Sequence, residues 1–155
     1  MSLDTFDVKI LDALIADGRA SVETVAERIQ LSATATRRRI RRLESQKVIT
    51  AYRAMVDPER AGLEIRIHVL VKLQKRERAD IEKFERIVRD TPEIQSCDLV
   101  TGQYDYFLLI HLSSMKDYHH YLRQFLADNE VVGSIESNVV IGNIKRTARL
   151  ALVAD

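Results

Sequence analysis

The chain has 155 residues, enough for one domain of average size or two small ones. Hydrophobic residues make up 46% of it, so it can build a core, yet no apolar run approaches the ~20 residues of a membrane span and the polar start "MSLDTFDVK" has no signal-peptide pattern. Its single cysteine, Cys97, excludes an internal disulfide and a cysteine-based metal site, and a cytoplasmic protein is expected. Net charge is +1, so global basicity implies nothing, but its distribution does. Residues 33–46 alone hold five Arg against one Glu, a local field of +4.

The first third predicts three short helices. In "LDTFDVKILDALIADG", Leu3, Phe6, Ile10, Leu11 and Leu14 recur at helical spacing, with Asp4 as N-cap and Gly18 as stop. "SVETVAERIQ" follows, with Ser21 as cap and Val22, Val25, Ala26 and Ile29 on one face. After a tight turn, Ser32 caps a third helix carrying "ATATRRRIRRLES". Projected down that helix, Thr36, Ile40 and Leu43 face inward and Thr34, Arg38, Arg41 and Ser45 face outward, with Arg42 beside them. Arg37 and Arg39 flank the buried side, and Glu27 and Glu44 are candidate partners for the arginines. A short strand or wing is expected over Ile49–Met55, then a linker closed by Pro58 and Gly62.

From residue 65 the period changes to alternation. "IRIHVLVKL" puts Ile65, Ile67, Val69, Val71 and Leu73 on one face of a strand. "ADIEKFERIVRD" returns to helix, "IQSCDLV" and "YFLLIHL" form strands joined by the turn "TGQYD", and "MKDYHHYLRQFLADN" is a second amphipathic helix. "SIESNVVIGNI" is the last strand, and the order β-α-β-β-α-β is the ferredoxin-like motif. Two helices cover one sheet face, which leaves Leu70, Leu99, Phe107, Leu109 and Val140 on the other among polar residues such as His68, Lys72 and His111. An apolar face of that kind marks self-association, with a two-fold homodimer its commonest form.

The expected fold is therefore α+β: a winged helix-turn-helix domain over 1–50, a wing and linker over 51–64, and a ferredoxin-like βαββαβ ligand-sensing and oligomerisation domain over 65–155. In a helix-turn-helix the last helix enters the major groove, where arginine neutralises phosphate and reads guanine O6 and N7. Ser32, Ala33, Thr34, Ala35, Arg37, Arg38, Arg39, Arg41 and Arg42 are the candidate DNA-binding residues. Ala33, Thr34 and Ala35 are small enough to admit the backbone to the bases. Thr34, Arg38 and Arg41 are the groove-facing set, whereas Arg37, Arg39 and Arg42 contact phosphate or brace the domain. A dimer would present two such helices to two half-sites of double-stranded DNA.

"LDTFDVKILDALIADGRAS", "VAERIQLSATATRRRIRRLE", "VITAYRAMVDPERAGL", "LVTGQYDYFLLI" and "VVIGNIKRT", in this order, resemble the Lrp/AsnC family over nearly the whole chain. That resemblance implies a transcriptional regulator that dimerises through its α+β domain, commonly assembles into octamers and often senses an amino acid bound between subunits near the hairpin turn. Arg39, Ile40, Arg42, Leu43 and Glu44 match the family's recognition-helix signature, and Gly102, Tyr104 and Asp105 its hairpin turn. Ser137 stands where the family often has Thr. Gln30 and Lys47 replace usual glycines, Glu130 and Val131 a usual Pro-Gly, and Ile135 a Thr. The changes at 130, 131 and 135 lie near the implied pocket.

The candidate effector residues are Thr101, Gly102, Gln103, Tyr104, Asp105 and Ser137. Gly102 admits a ligand carboxylate to the backbone, Asp105 accepts from an ammonium, and Gln103 or Tyr104 hydrogen-bonds the remainder. The same "TGQYD" also makes an ordinary hairpin turn without a ligand.

Catalytic signatures, cofactors and metal ligands are not expected. His119 and His120 are adjacent and diverge on a helix, Asp98 and Asp105 form no recognisable acid–base pair, and Tyr118, Tyr121 and Phe125 read as core. The reading is a sequence-specific DNA-binding transcriptional regulator, no enzyme, modulated by an amino acid. Its rivals are a ligand-independent architectural DNA-binding protein and an allosteric subunit of a metabolic enzyme.

Overall fold

The computed structural model describes residues 2–145 and residue 152, with side chains throughout except at 126–128. The chain forms two units divided between Met55 and Val56, inside the linker expected over 51–64. The sheet unit ends at Ile144, and Leu152 packs on the helical core instead.

The helical unit holds α1 (Thr5–Ala16), α2 (Val22–Ile29) and α3 (Ala33–Ser45). Each begins where a short polar side chain satisfies the first free backbone donors. Asp4 and Asp7 form a capping box on α1: the Asp7 N–H donates to Asp4 Oδ1 at 2.9 Å, and the Asp4 N–H to Asp7 Oδ2 at 3.2 Å. Ser21 Oγ accepts from the Thr24 N–H at 3.1 Å and Ser32 Oγ from the Ala35 N–H at 3.2 Å. α1 stops at Ala16 with Asp17 as its C-cap, ahead of Gly18. α2 ends on Gln30 at φ 59°, and Lys47, just past α3, also has φ 59°. Both are left-handed positions that favour glycine, and here larger residues hold them. Ile10, Leu11, Ala13, Val25, Ile29, Ile40 and Leu43 form the core. Phe6 is not among them, being 36% exposed.

The strand or wing expected over Ile49–Met55 does not form; residues 46–64 hold no helix or strand. The N–H groups of Val48 and Ile49 both donate to the Leu43 carbonyl, at 2.9 and 3.1 Å, and their side chains pack on the helical core. This segment thus closes α3 rather than opening a ladder, and a strand needs a partner, which none of the described residues of the unit supplies.

The sheet unit holds β1 (Ile65–Leu73), α4 (Arg78–Asp90), β2 (Ile94–Leu99), β3 (Tyr106–Leu112), α5 (Met115–Asp128) and β4 (Val132–Val139). The strands run antiparallel in the order β2-β3-β1-β4, the ferredoxin-like arrangement. β1 alternates strictly: Ile67, Val69, Val71 and Leu73 are buried under α4 and α5 with Leu108, Ile110, Phe84, Tyr118 and Phe125. The opposite face carries Leu70 beside Phe107 and His68 beside Leu109, with the His68 ring stacked on Phe107 at 5.0 Å. Leu99 does not join that face. It pairs with Tyr106, so it lies on the helix side, 73% exposed at the end of the edge strand. β4 also starts two residues before Ser134 and ends at Val139. The Val140 N–H still reaches the Arg66 carbonyl, at 2.9 Å, but β1 begins at Ile65, so the partner strand runs out there.

Candidate nucleic-acid interface and ligand site

Along α3 the five arginines have different surroundings. Arg39 donates from Nη1 to Asp4 Oδ2 at 2.6 Å and to Asp7 Oδ1 at 2.9 Å. Arg42 donates from Nη2 to the other oxygen of Asp7. Asp7 is 1% exposed, so a buried carboxylate on α1 grips two arginines of α3. Arg39 is also stacked over Phe6, 5.4 Å from the ring centroid, which accounts for Phe6 lying at the surface. The Arg39 bond holds the Asp4 carboxyl below its ordinary range, and Asp4 in turn raises the guanidinium. Arg37 pairs with Glu23 of α2 at 3.0 Å, both ends largely exposed.

Arg38 and Arg41 are exposed and take part in no ion pair or hydrogen bond among the described residues. Thr34 is exposed beside them, while Ala33 and Ala35 are half-buried and Ser32 is spent on its cap. The outward set read from helical spacing therefore stands apart from the rest. The partners suggested for the run do not hold: Glu44 accepts from the Tyr52 hydroxyl at 2.9 Å, and the acids engaged are Asp4, Asp7 and Glu23. Spacing missed Asp7 as the partner of Arg39 and Arg42. Its signal was an acid on the same stripe as Leu3, Ile10 and Leu14.

The second cluster is the β2–β3 hairpin. Gly102, at φ 123°, adopts a backbone that side chains disfavour, and Thr101 and Gln103 are exposed on either side of it. Asp105 is buried and tightly engaged: Oδ2 accepts from the Leu73 N–H at 2.9 Å and Oδ1 pairs with Arg76 Nε at 2.7 Å. Its own N–H donates to the Val71 carbonyl and its carbonyl accepts from the Val100 N–H, both at 2.9 Å. It ties the hairpin to the end of β1. The Tyr104 hydroxyl donates to Glu136 Oε2; that bond lowers the Glu136 carboxyl below its ordinary range and raises the phenol. Glu136 pairs with Leu70 and so lies on the open sheet face. Ser137 pairs with Val69, a core position, and shares a hydrogen bond with the Tyr118 hydroxyl of α5. The structure therefore brings Tyr104, Asp105, Arg76 and Glu136 to the hairpin side and leaves Ser137 on the helix side. Arg76 and Glu136 carried no motif that sequence reading could seize.

Among the described residues no group of three or more His, Cys, Asp or Glu is placed to hold a metal ion, and no helix is long and apolar enough to cross a membrane. His119 and His120 are both exposed, whereas Tyr118 and Phe125 are buried in the core. His68 lies on the open face, with its Nδ1 buried and unpaired in the chain by itself.

A three-helix DNA-binding unit joined to a ferredoxin-like unit defines a class of ligand-binding transcriptional regulators, and comparison with known proteins places the chain within it. Residues 3–44 match the AsnC-type helix-turn-helix domain and residues 66–150 the Lrp/AsnC ligand binding domain. The chain belongs to the Lrp/AsnC family of transcriptional regulators. It is 32% identical over 145 residues to the proline dehydrogenase transcriptional activator of Rhizobium radiobacter, covering 94% of this chain and 93% of that one. It is 33% identical over 150 residues to the leucine-responsive regulatory protein of Escherichia coli (97% and 92%). A transcriptional regulator of Neisseria meningitidis, crystallised as its L-Met complex, superposes with a TM-score of 0.92 at 31% identity, covering 96% of both chains. These relatives are transcriptional regulators, and helix-turn-helix regulators bind DNA.

Proposed function

We propose that the protein is a sequence-specific DNA-binding regulator in which Arg38, Arg41 and Thr34 read the major groove and an α-amino acid modulates binding. The observation that carries the first part is the division of the arginine run. Arg37, Arg39 and Arg42 are ion-paired within the unit, while Arg38 and Arg41 face outward without partners among the described residues. Two unopposed guanidiniums and a small hydroxyl on one helix face suit guanine edges and flanking phosphates. Ser32 serves as the cap that starts the reading helix, and the half-buried Ala33 and Ala35 keep its entry narrow. Arg37, exposed beside Glu23, is placed to exchange that weak partner for a phosphate.

The ligand half rests on the hairpin. Arg76 and Asp105 stand 2.7 Å apart beside a positive-φ glycine. A zwitterionic amino acid carries the complementary pair of charges, so its carboxylate suits the exposed Arg76 and the Gly102 backbone; its ammonium suits the exposed Glu136, because both oxygens of the buried Asp105, the acceptor expected from the sequence, are already engaged. The Neisseria relative holds L-Met, which makes that amino acid the first to try. Homodimerisation through the Leu70–Phe107–Leu109 face would bring two α3 helices to one duplex, and further assembly of dimers into octamers follows the family pattern.

The test is an anisotropy titration of the gene's own upstream duplex against a scrambled duplex, with and without each amino acid. Preference for the native duplex, shifted by one amino acid, is the expected outcome. Equal binding to both duplexes would instead assign the architectural role, and native preference unmoved by any amino acid would remove the ligand.

A further inference from the structure

We propose that Asp7 is a positioning residue that sets DNA specificity by withholding Arg39 and Arg42 from the phosphate backbone. The inference rests on α3 being the reading helix. Asp7 sits on α1, is 1% exposed, and divides its two carboxylate oxygens between the two arginines. Arg39 is held a second time by Asp4, at 2.6 Å, and its side chain is only 22% exposed. Arg42 has no second partner among the described residues, and its side chain is 45% exposed. Two positive charges of the run are therefore matched by two acids of the α1 start, where the capping box already fixes Asp4 and Asp7 relative to one another.

The consequence is electrostatic. Phosphate contacts supply affinity without sequence information, and each one steepens the salt dependence of binding. Were all five arginines free, every duplex would be bound through the run. With two locked to α1, the contacts left to DNA are weighted toward Arg38 and Arg41, which face the groove. Asp7 thus acts through Arg39 and Arg42 rather than by touching DNA.

Asp7→Asn keeps the shape and an acceptor but removes the charge. It should release Arg42, because Arg39 retains Asp4. The full chain is titrated as wild type, Asp7→Asn, Arg42→Gln and the double variant on the native and scrambled duplexes over a potassium chloride series. Arg42→Gln alone is expected to leave the salt slope at the wild-type value. Asp7→Asn is expected to steepen it by about 0.9, the value of one added phosphate contact, and to strengthen binding to the scrambled duplex several-fold. The double variant should return to the wild-type slope. A purely structural Asp7 would instead weaken binding to both duplexes with no steeper slope, and that result overturns the proposal. So does a slope flattened by about 0.9 in Arg42→Gln, which would put Arg42 on a phosphate in the wild type. This last arm decides the matter even if Asp7→Asn fails to fold. If Arg38→Ala/Arg41→Ala leaves slope and preference untouched while Arg42→Gln changes them, the reading of α3 itself falls.

Discussion

Asp105 gives the sharpest expectation for the sheet unit. Replacing it with alanine leaves the Leu73 N–H without its 2.9 Å acceptor at a buried position, a cost of about 1–3 kcal/mol. The pair with Arg76, whose side chain is 64% exposed, adds no more than about 1 kcal/mol after solvent screening. Asp105→Ala should therefore destabilise the unit by about 1–4 kcal/mol and lower its melting temperature by on the order of 10 °C. Asp105→Asn keeps an acceptor for Leu73 and should cost under about 1 kcal/mol. Four of the five tyrosines (Tyr104, Tyr106, Tyr118 and Tyr121) lie in the sheet unit and there is no tryptophan, so tyrosine fluorescence during urea unfolding reports on it. Asp105→Ala within about 0.5 kcal/mol of wild type, or Asp105→Asn as damaging as alanine, would refute the hairpin tie.

Further expectations concern the helical unit and the thiol. Gln30→Gly and Lys47→Gly relieve left-handed backbones at φ 59°, and each should stabilise by about 0.5–1 kcal/mol net of glycine's chain entropy, read from denaturation midpoints. Asp4 is held below its ordinary 3.8 by Arg39, so folding favours its charged form; that contribution is present above about pH 4 and is lost as pH falls through the folded value. Unfolding midpoints of wild type should drop over this acid range more steeply than those of Asp4→Asn. Burial first, and Asp98 next, push the Cys97 thiol up to about 11, so alkylation near neutral pH should be slow in the folded protein and accelerate on unfolding.

The fold was legible where local chemistry and periodicity agree. Asp4, Ser21 and Ser32 announce three helix starts, and the β1 alternation announces a sheet covered on one face. The tyrosine stripe reads as core because its spacing matches α5. Other features depend on pairing that a linear reading does not contain. Residues 49–55 have strand-like composition, but Val48 and Ile49 are drawn back onto Leu43. Leu99 takes its face from the β2–β3 register, which shifts between Ile94 and Ser96. Along α3, helical projection places Arg38 and Arg41 outward, as the structure has them, yet it sees only one helix. That Arg39 and Arg42 are bound by an acid 32 and 35 residues earlier follows from the packing of α1 on α3. Ser137 fell on the helix face for the same kind of reason, because parity along β4 sets its side and motif matching does not.

In the proposed function, the outward arginines of α3 read DNA. Its most direct test is the titration of the native and scrambled duplexes with wild type and Arg38→Ala/Arg41→Ala over a salt series, with circular dichroism confirming the fold. Both residues are exposed and unpaired among the described residues, so the double variant should fold as wild type does, lose its preference for the native duplex and show a slope flatter by up to about 1.8, two phosphate-equivalent contacts. A folded double variant that keeps both the preference and the wild-type slope would show that these arginines do not read DNA and leave the arginine face of α3 a solvated surface.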